Sequence, residues 1–135
     1  MKKILIVLAD YYGDISSLLL KSAKNNLNNF SLKVIRVPGV FEIPITISKN
    51  IKKYDAFIAL GCVIRGETPH FKFISSSTID ALMYLSVKNI KPIGNGIITS
   101  LNKKQALVRS NPKLKDKGGE AVLAALSVLR VKKWI

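Results

Sequence analysis

The sequence predicts an α/β fold with three αβα layers around a four-stranded parallel sheet. Three observations carry this. Strand-like apolar runs alternate with amphipathic, helix-like segments along the chain. The first and third runs are apolar without a break, as strands buried on both faces are. A helical segment separates each strand from the next, which parallel pairing requires. The 135 residues suit one domain, 1–135, without repeats, long linkers or low-complexity tracts.

The elements follow in order. Ile4 to Ala9 reads as a buried strand. With Met1-Lys2-Lys3 it has the look of a secretion signal, but its apolar part is too short and Asp10 ends it. Asp14 caps a helix through Ile15, Leu18 and Leu19 to Leu27, ended by the asparagines around it. Leu32 to Val37 is a strand rich in branched residues, and Pro38-Gly39 turns the chain. Phe41 to Ile51 has helical spacing, and Tyr54 to Val63 is the third strand. A long helix spans Pro69 to Val87, with Thr68 as its cap and Pro69 at its first position. Lys91-Pro92 turns into a fourth strand, Ile93 to Thr99, carrying Gly94 and Gly96. A short helix, Asn102 to Arg109, is broken by Asn111-Pro112, and a last helix runs from Gly119 to Val131.

Composition bounds the function. Hydrophobic residues make up 48% of the chain, more than so small a domain readily hides, so partner subunits are expected to cover some of them. Lysine and arginine number 22 against 8 acidic residues, a net charge of +14. Such a surface attracts anions, or simply keeps the protein soluble. No apolar run approaches the ~20 residues that cross a bilayer, so no membrane partner is expected. A lone cysteine, Cys62, excludes a disulfide scaffold or thiolate metal cage within the chain, and the cytoplasm is the expected compartment.

In open parallel sheets, sites form at the carboxyl ends of strands. The third strand runs into Gly61-Cys62-Val63-Ile64-Arg65-Gly66-Glu67-Thr68-Pro69-His70. The helix start there offers free N–H groups to an anion. His70, in the first turn, faces the positive end of the dipole, which disfavours an imidazolium. A neutral imidazole beside an anion could shuttle protons, and a surface histidine at a helix start fits the residue type equally. After the first strand, Asp10-Tyr11-Tyr12-Gly13-Asp14 repels phosphate but offers a ring on which a flat substrate could stack, unless both tyrosines merely pack at the sheet edge. After the second, Glu42 begins a helix, as a ligand or only as a cap. Cys62, set among apolar residues, reads as a buried thiol rather than a nucleophile. The stretch Arg109 to Gly119 is a solvated basic loop or a phosphate holder through Arg109 or Lys117. No metal-ligand spacing, dinucleotide fingerprint or Walker loop is visible, so no metal and no cofactor are expected.

Four segments together carry a resemblance. Pro38-Gly39-Val40-Phe41-Glu42-Ile43-Pro44 and Leu60 to Phe71 resemble two signatures of the lumazine synthase (6,7-dimethyl-8-ribityllumazine synthase) family. Asn95-Gly96-Ile97-Ile98-Thr99 and Lys117-Gly118-Gly119-Glu120-Ala121 are similar to two further landmarks, in order and at matching spacing. The resemblance implies a transferase of riboflavin biosynthesis. It condenses 5-amino-6-(D-ribitylamino)uracil with 3,4-dihydroxy-2-butanone 4-phosphate to 6,7-dimethyl-8-ribityllumazine, releasing phosphate and water. It further implies roles. Tyr11 stacks on the pyrimidine. Val40, Phe41 and Glu42 line the ribityl and ring site, and Cys62, Val63 and Ile64 meet the uracil edge. Glu67 and Thr68 hold the phosphate with Arg109, from a neighbouring subunit, and Lys117. His70 shuttles protons.

Two positions depart from the family. Asn95 stands where an aromatic is common, so a hydrogen bond to the ring would replace stacking. Lys72 stands where an acid is common, and is expected to draw in the phosphorylated substrate. The resemblance also implies homopentamers, or capsids built of them, with sites between subunits, and a functional link to riboflavin synthase. The first strand begins directly after Met1-Lys2-Lys3, where capsid-forming relatives carry an N-terminal arm, so a free pentamer is expected. Two other readings compete. A flavodoxin-like module, with the same layered sheet, would bind a flavin or nucleotide without catalysis. It needs a hydroxyl-rich phosphate loop where Asp10 and Asp14 stand. A nucleic-acid-binding protein would interleave aromatics among its cations, and the sequence does not, so no nucleic acid is expected as a partner.

Overall fold

The computed structural model describes residues 1–131; the end of the predicted domain, 132–135, lies outside the described residues. Four parallel strands, β1 (Lys3–Ala9), β2 (Ser31–Val37), β3 (Ala56–Ile64) and β4 (Ile93–Ser100), form one sheet in the order β2-β1-β3-β4. The helices are α1 (Gly13–Lys24), α2 (Ile43–Asn50), α3 (His70–Asn89), α4 (Lys103–Ser110) and α5 (Lys117–Val131). The predicted αβα sandwich is the observed one.

Side-chain alternation along β1 explains the two layers. Ile4, Ile6 and Leu8 join Ile58 and Leu60 under α1, α4 and α5. Leu5, Val7 and Ala9 join Phe57 and Ala59 under α2 and α3. Strand β1 is inaccessible on both faces from Ile4 to Leu8, hence its unbroken apolar run. Each fully buried Ile or Leu contributes ~1.5–3 kcal/mol. On β4, a side chain at Gly94 or Gly96 would collide with Ala121 of α5 or Leu60 of β3. The glycines that interrupt the fourth strand therefore let α5 lie close against it.

Element ends differ from expectation where capping or proline decides them. Helix α1 stops at Lys24, and the asparagine-rich turn beyond it still buries Leu27. Val40–Glu42 is a 3-10 turn, and the α-helical ladder starts only at Ile43, with Pro44 in the first turn where its missing N–H costs nothing. Helix α3 starts at His70, one residue after the proline expected to open it. Thr68 Oγ1 accepts a long 3.4 Å bond from the His70 N–H, so the threonine caps only weakly. The helix ends at Ile90, whose φ of 52° is left-handed. Asn102 caps α4 by accepting from the Gln105 N–H at 2.9 Å. Asp116 does the same for α5, accepting from Gly119 at 3.3 Å, which moves the start of that helix ahead of Gly119. No described helix is long and apolar enough to cross a membrane.

Candidate active site

The carboxyl ends of β1, β2 and β3 open into a cleft of about 300 Å³. Its walls are Tyr11 and Tyr12 after β1, Gly39, Val40 and Phe41 after β2, Cys62, Val63 and Ile64 of β3, and His70 and Ile74 of α3. Local sequence explains the convergence. Gly61 has no side chain, and a Cβ there would press on Val40 and Ala9. The 3-10 turn can therefore sit tight against β3 and point Phe41 outward. The Arg65 N–H donates to the Ser100 carbonyl at 2.9 Å, which keeps β3 paired until the chain turns toward α3.

The two tyrosines divide their labour. Tyr12 packs against the core below α1, and burial raises its phenol pKa above the usual value. Tyr11 is 74% exposed and meets Tyr12 edge-on, with ring centroids 4.8 Å apart. One ring anchors the other, whose face stays free for a flat ligand. The flanking acids do not stand bare. Asp10 pairs with Arg36 at 3.1 Å and Asp14 with Lys103 at 3.0 Å. The Lys103 ammonium holds Asp14 below the usual carboxylate range.

Burial pushes the Cys62 thiol up to about 11, although a hydrogen bond with Ser100 opposes the shift. At neutral pH it is a protonated wall of the cleft and not a nucleophile. His70 is exposed at the mouth, on the first turn of α3. Ile74, one turn on, shares its face and reaches the cleft.

Of the residues singled out from the sequence, Tyr11, Val40, Phe41, Cys62, Val63, Ile64 and His70 meet in this cleft. Glu42 lies next door, in a groove of about 360 Å³ between α2 and α3 that shares Phe41 with it. Glu67 and Thr68 stand in the exposed turn before α3. Arg109 and Lys117 are elsewhere: with Thr99, Lys115 and Glu120 they line a separate cleft of about 470 Å³ along β4. Lys117 Nζ is 3.6 Å from Glu120, and Arg109 donates to the Gln105 amide oxygen at 3.3 Å. Asn95 lies within β4, level with Ala59, and does not line the cleft of Tyr11. Its Oδ1 accepts from the Ile97 N–H of its own strand at 3.1 Å, so the group expected to bond a ring is engaged locally. Tyr12, Gly39 and Ile74 were not singled out as ligands. The helical offset from His70 is the signal that points to Ile74.

The model of the 6,7-dimethyl-8-ribityllumazine synthase family matches residues 1–133. The chain belongs to this family. Proteins named 6,7-dimethyl-8-ribityllumazine synthase are similar to it over nearly their whole length. That of Zymomonas mobilis is 44% identical over 137 residues, 98% of each chain. That of Novosphingobium aromaticivorans is 43% identical over 139 residues, 99% of each chain. That of Agrobacterium fabrum is 45% identical, covering 96% of this chain and 94% of the relative. The family's enzymes are transferases of riboflavin synthesis, and the cleft is lined by two of the four segments that resemble theirs, Pro38 to Pro44 and Leu60 to Phe71.

Proposed function

We propose that the cleft between Tyr11 and His70 forms 6,7-dimethyl-8-ribityllumazine from 5-amino-6-(D-ribitylamino)uracil and 3,4-dihydroxy-2-butanone 4-phosphate. The observation that carries the reading is the convergence of a free tyrosine face, a β-strand end and a histidine in one cleft. The pyrimidine stacks on Tyr11, with its edge against Cys62, Val63 and Ile64, and its ribityl chain runs past Phe41 toward Glu42. The substrate amine is itself the nucleophile toward the ketone, so the protein needs no nucleophile of its own. The protonated state of Cys62 is consistent with that. The reaction loses water and phosphate and moves several protons. His70 carries the protons, a role worth ~10²–10⁴-fold. Holding two substrates in register contributes up to ~7–11 kcal/mol in ideal cases.

The leaving phosphate requires cations. In one chain they stand along β4, away from the Tyr11 cleft. We infer that Arg109 and Lys117 of one subunit complete the site of the next, beside the Glu67 and Thr68 turn. The assembly is a homopentamer, the form the family resemblance implies. Exposed Phe73, Met83, Tyr84 and Val87 on α3 supply apolar surface for it. The enzyme works in the cytoplasm, and its product feeds riboflavin synthase.

The test mixes purified protein with both substrates and follows lumazine fluorescence. Wild type should form product. His70→Ala should lower kcat by ~10²–10⁴-fold with a nearly unchanged melting temperature, since the residue is exposed. No product from wild type would sink the reading, and full activity in the variant would sink the role of His70.

A further inference from the structure

The amino ends of three strands bring four lysines together. Lys3 opens β1, Lys33 is near the start of β2, and Lys52 and Lys53 lead into β3. Sequence separates them widely; the strand order β2-β1-β3 sets them side by side. Lys3 is in register with Ser31, and the Asp55 N–H donates to the Lys3 carbonyl at 2.8 Å. The result is a cleft of about 690 Å³ lined by Lys3, Ser31, Lys33, Lys52, Lys53 and Tyr54, at the end of the sheet opposite the active site.

Charge is unbalanced at this end. Among the described residues, none of the four lysines is in an ion pair, whereas Lys103 and Lys117 at the other end are. Asp55 is the neighbouring acid, and its Oδ2 accepts the Lys3 backbone N–H at 2.7 Å. A helix end explains Lys52 and Lys53, which follow α2 and complement its dipole. It does not explain Lys3 and Lys33, which lie on strands.

The cleft also holds an aromatic. Tyr54 is half-buried, and its ring meets Phe57 edge-on at 6.0 Å. Lys91 Nζ donates to its carbonyl at 2.8 Å, which fixes the segment. Tyr54 packs against the core under α2 and α3 and still lines the cleft. An aromatic held beside unpaired cations is the combination that binds single strands: phosphates on the lysines, a base on the ring. The interleaving that the linear sequence lacks is supplied by the fold.

We propose that this cleft binds single-stranded nucleic acid without sequence preference, through Lys3, Lys33, Lys52 and Lys53 and a base stacked on Tyr54. The binding is independent of lumazine formation.

The test titrates the full chain into a labelled oligouridylate of about 12 nucleotides, followed by fluorescence anisotropy. Engagement of four phosphates predicts a slope of log K on log salt of about −3. Lys33→Glu with Lys53→Glu should weaken binding at least about tenfold and flatten the slope, with lumazine formation unchanged. Lys104→Glu with Lys113→Glu, the same charge change at the far end, should stay within about twofold. Tyr54→Leu should weaken binding several-fold at unchanged slope. No binding at low salt, equal weakening by both charge pairs, or equal affinity for polyglutamate would overturn the proposal.

Discussion

Cys62 sits in the cleft wall, yet its strand removes it from the chemistry. Packing beside Leu60 and Ile98 withdraws water from the thiol, and an unsolvated thiolate is costly. The consequence is a pH dependence with a definite sign. The thiol titrates near 9 when unfolded and about 11 when folded. Between these values the unfolded chain has released a proton that the folded chain keeps, so stability falls as pH rises through this window. Below 9 the contribution is complete. Urea midpoints of wild type should drop more steeply between pH 9 and 11 than those of Cys62→Ala, and parallel curves would show that the thiol is not held up. Lys72 is the other residue with a readable consequence. It is exposed in the first turn of α3, where a cation opposes the dipole but strengthens the field felt by an incoming phosphate. Lys72→Glu should raise the KM for the butanone phosphate about two- to fivefold at low salt, and the effect should fade at high salt. An unchanged KM at low salt would remove Lys72 from substrate capture.

Among the elements, α3 carries a visible cost. A β-branched residue, Ile90, occupies the left-handed position that ends the helix, where glycine is the usual solution. Ile90 is 72% exposed, so its side chain gives little packing in return. Ile90→Gly should stabilise the fold by ~1 kcal/mol, read as a rise in melting temperature. A fall would mean that the side chain is buried by a partner. The strands were the most legible elements in the sequence, because doubly buried strands leave uninterrupted apolar runs such as Ile4 to Ala9. Helix starts were less so: Pro44 and Pro69 both announce a first turn, but whether that turn is 3-10 or α depends on tertiary contacts. The Tyr11 cleft was legible because its residues follow strand ends. Asn95 was legible as a residue of the fourth strand, but nothing in Asn95-Gly96 says that its amide turns back on its own backbone. Residue spacing alone does not say that Arg109 lies apart from His70 within one chain, a separation set by β4 standing at the sheet edge; a place for Arg109 in a neighbour's site comes only from the family resemblance.

For the whole molecule, that separation predicts complementation. If neighbours share sites, His70→Ala and Arg109→Ala chains should each be nearly inactive alone. When they are denatured together and reassembled, random mixing should restore activity at about a quarter of sites, those with an intact half from each neighbour. No recovery in a mixture of confirmed hybrid assemblies would place each site within one chain. Lys33 and Lys53 should stay open to acylation in the assembled form, and their protection would overturn the nucleic-acid cleft.

The edge at β4 has one more consequence. Phe57 donates to the Pro92 carbonyl and Arg65 to that of Ser100, so the intervening even-numbered residues of β4 face β3 and the odd-numbered N–H groups point outward. Such a comb of free donors is a template on which another chain's strand can be zipped, the first step toward fibres. Asn95 occupies the comb at Ile97 with its own side chain. The chain thus carries a blunted tooth in the middle of its open strand, which works against edge-to-edge pairing into ribbons.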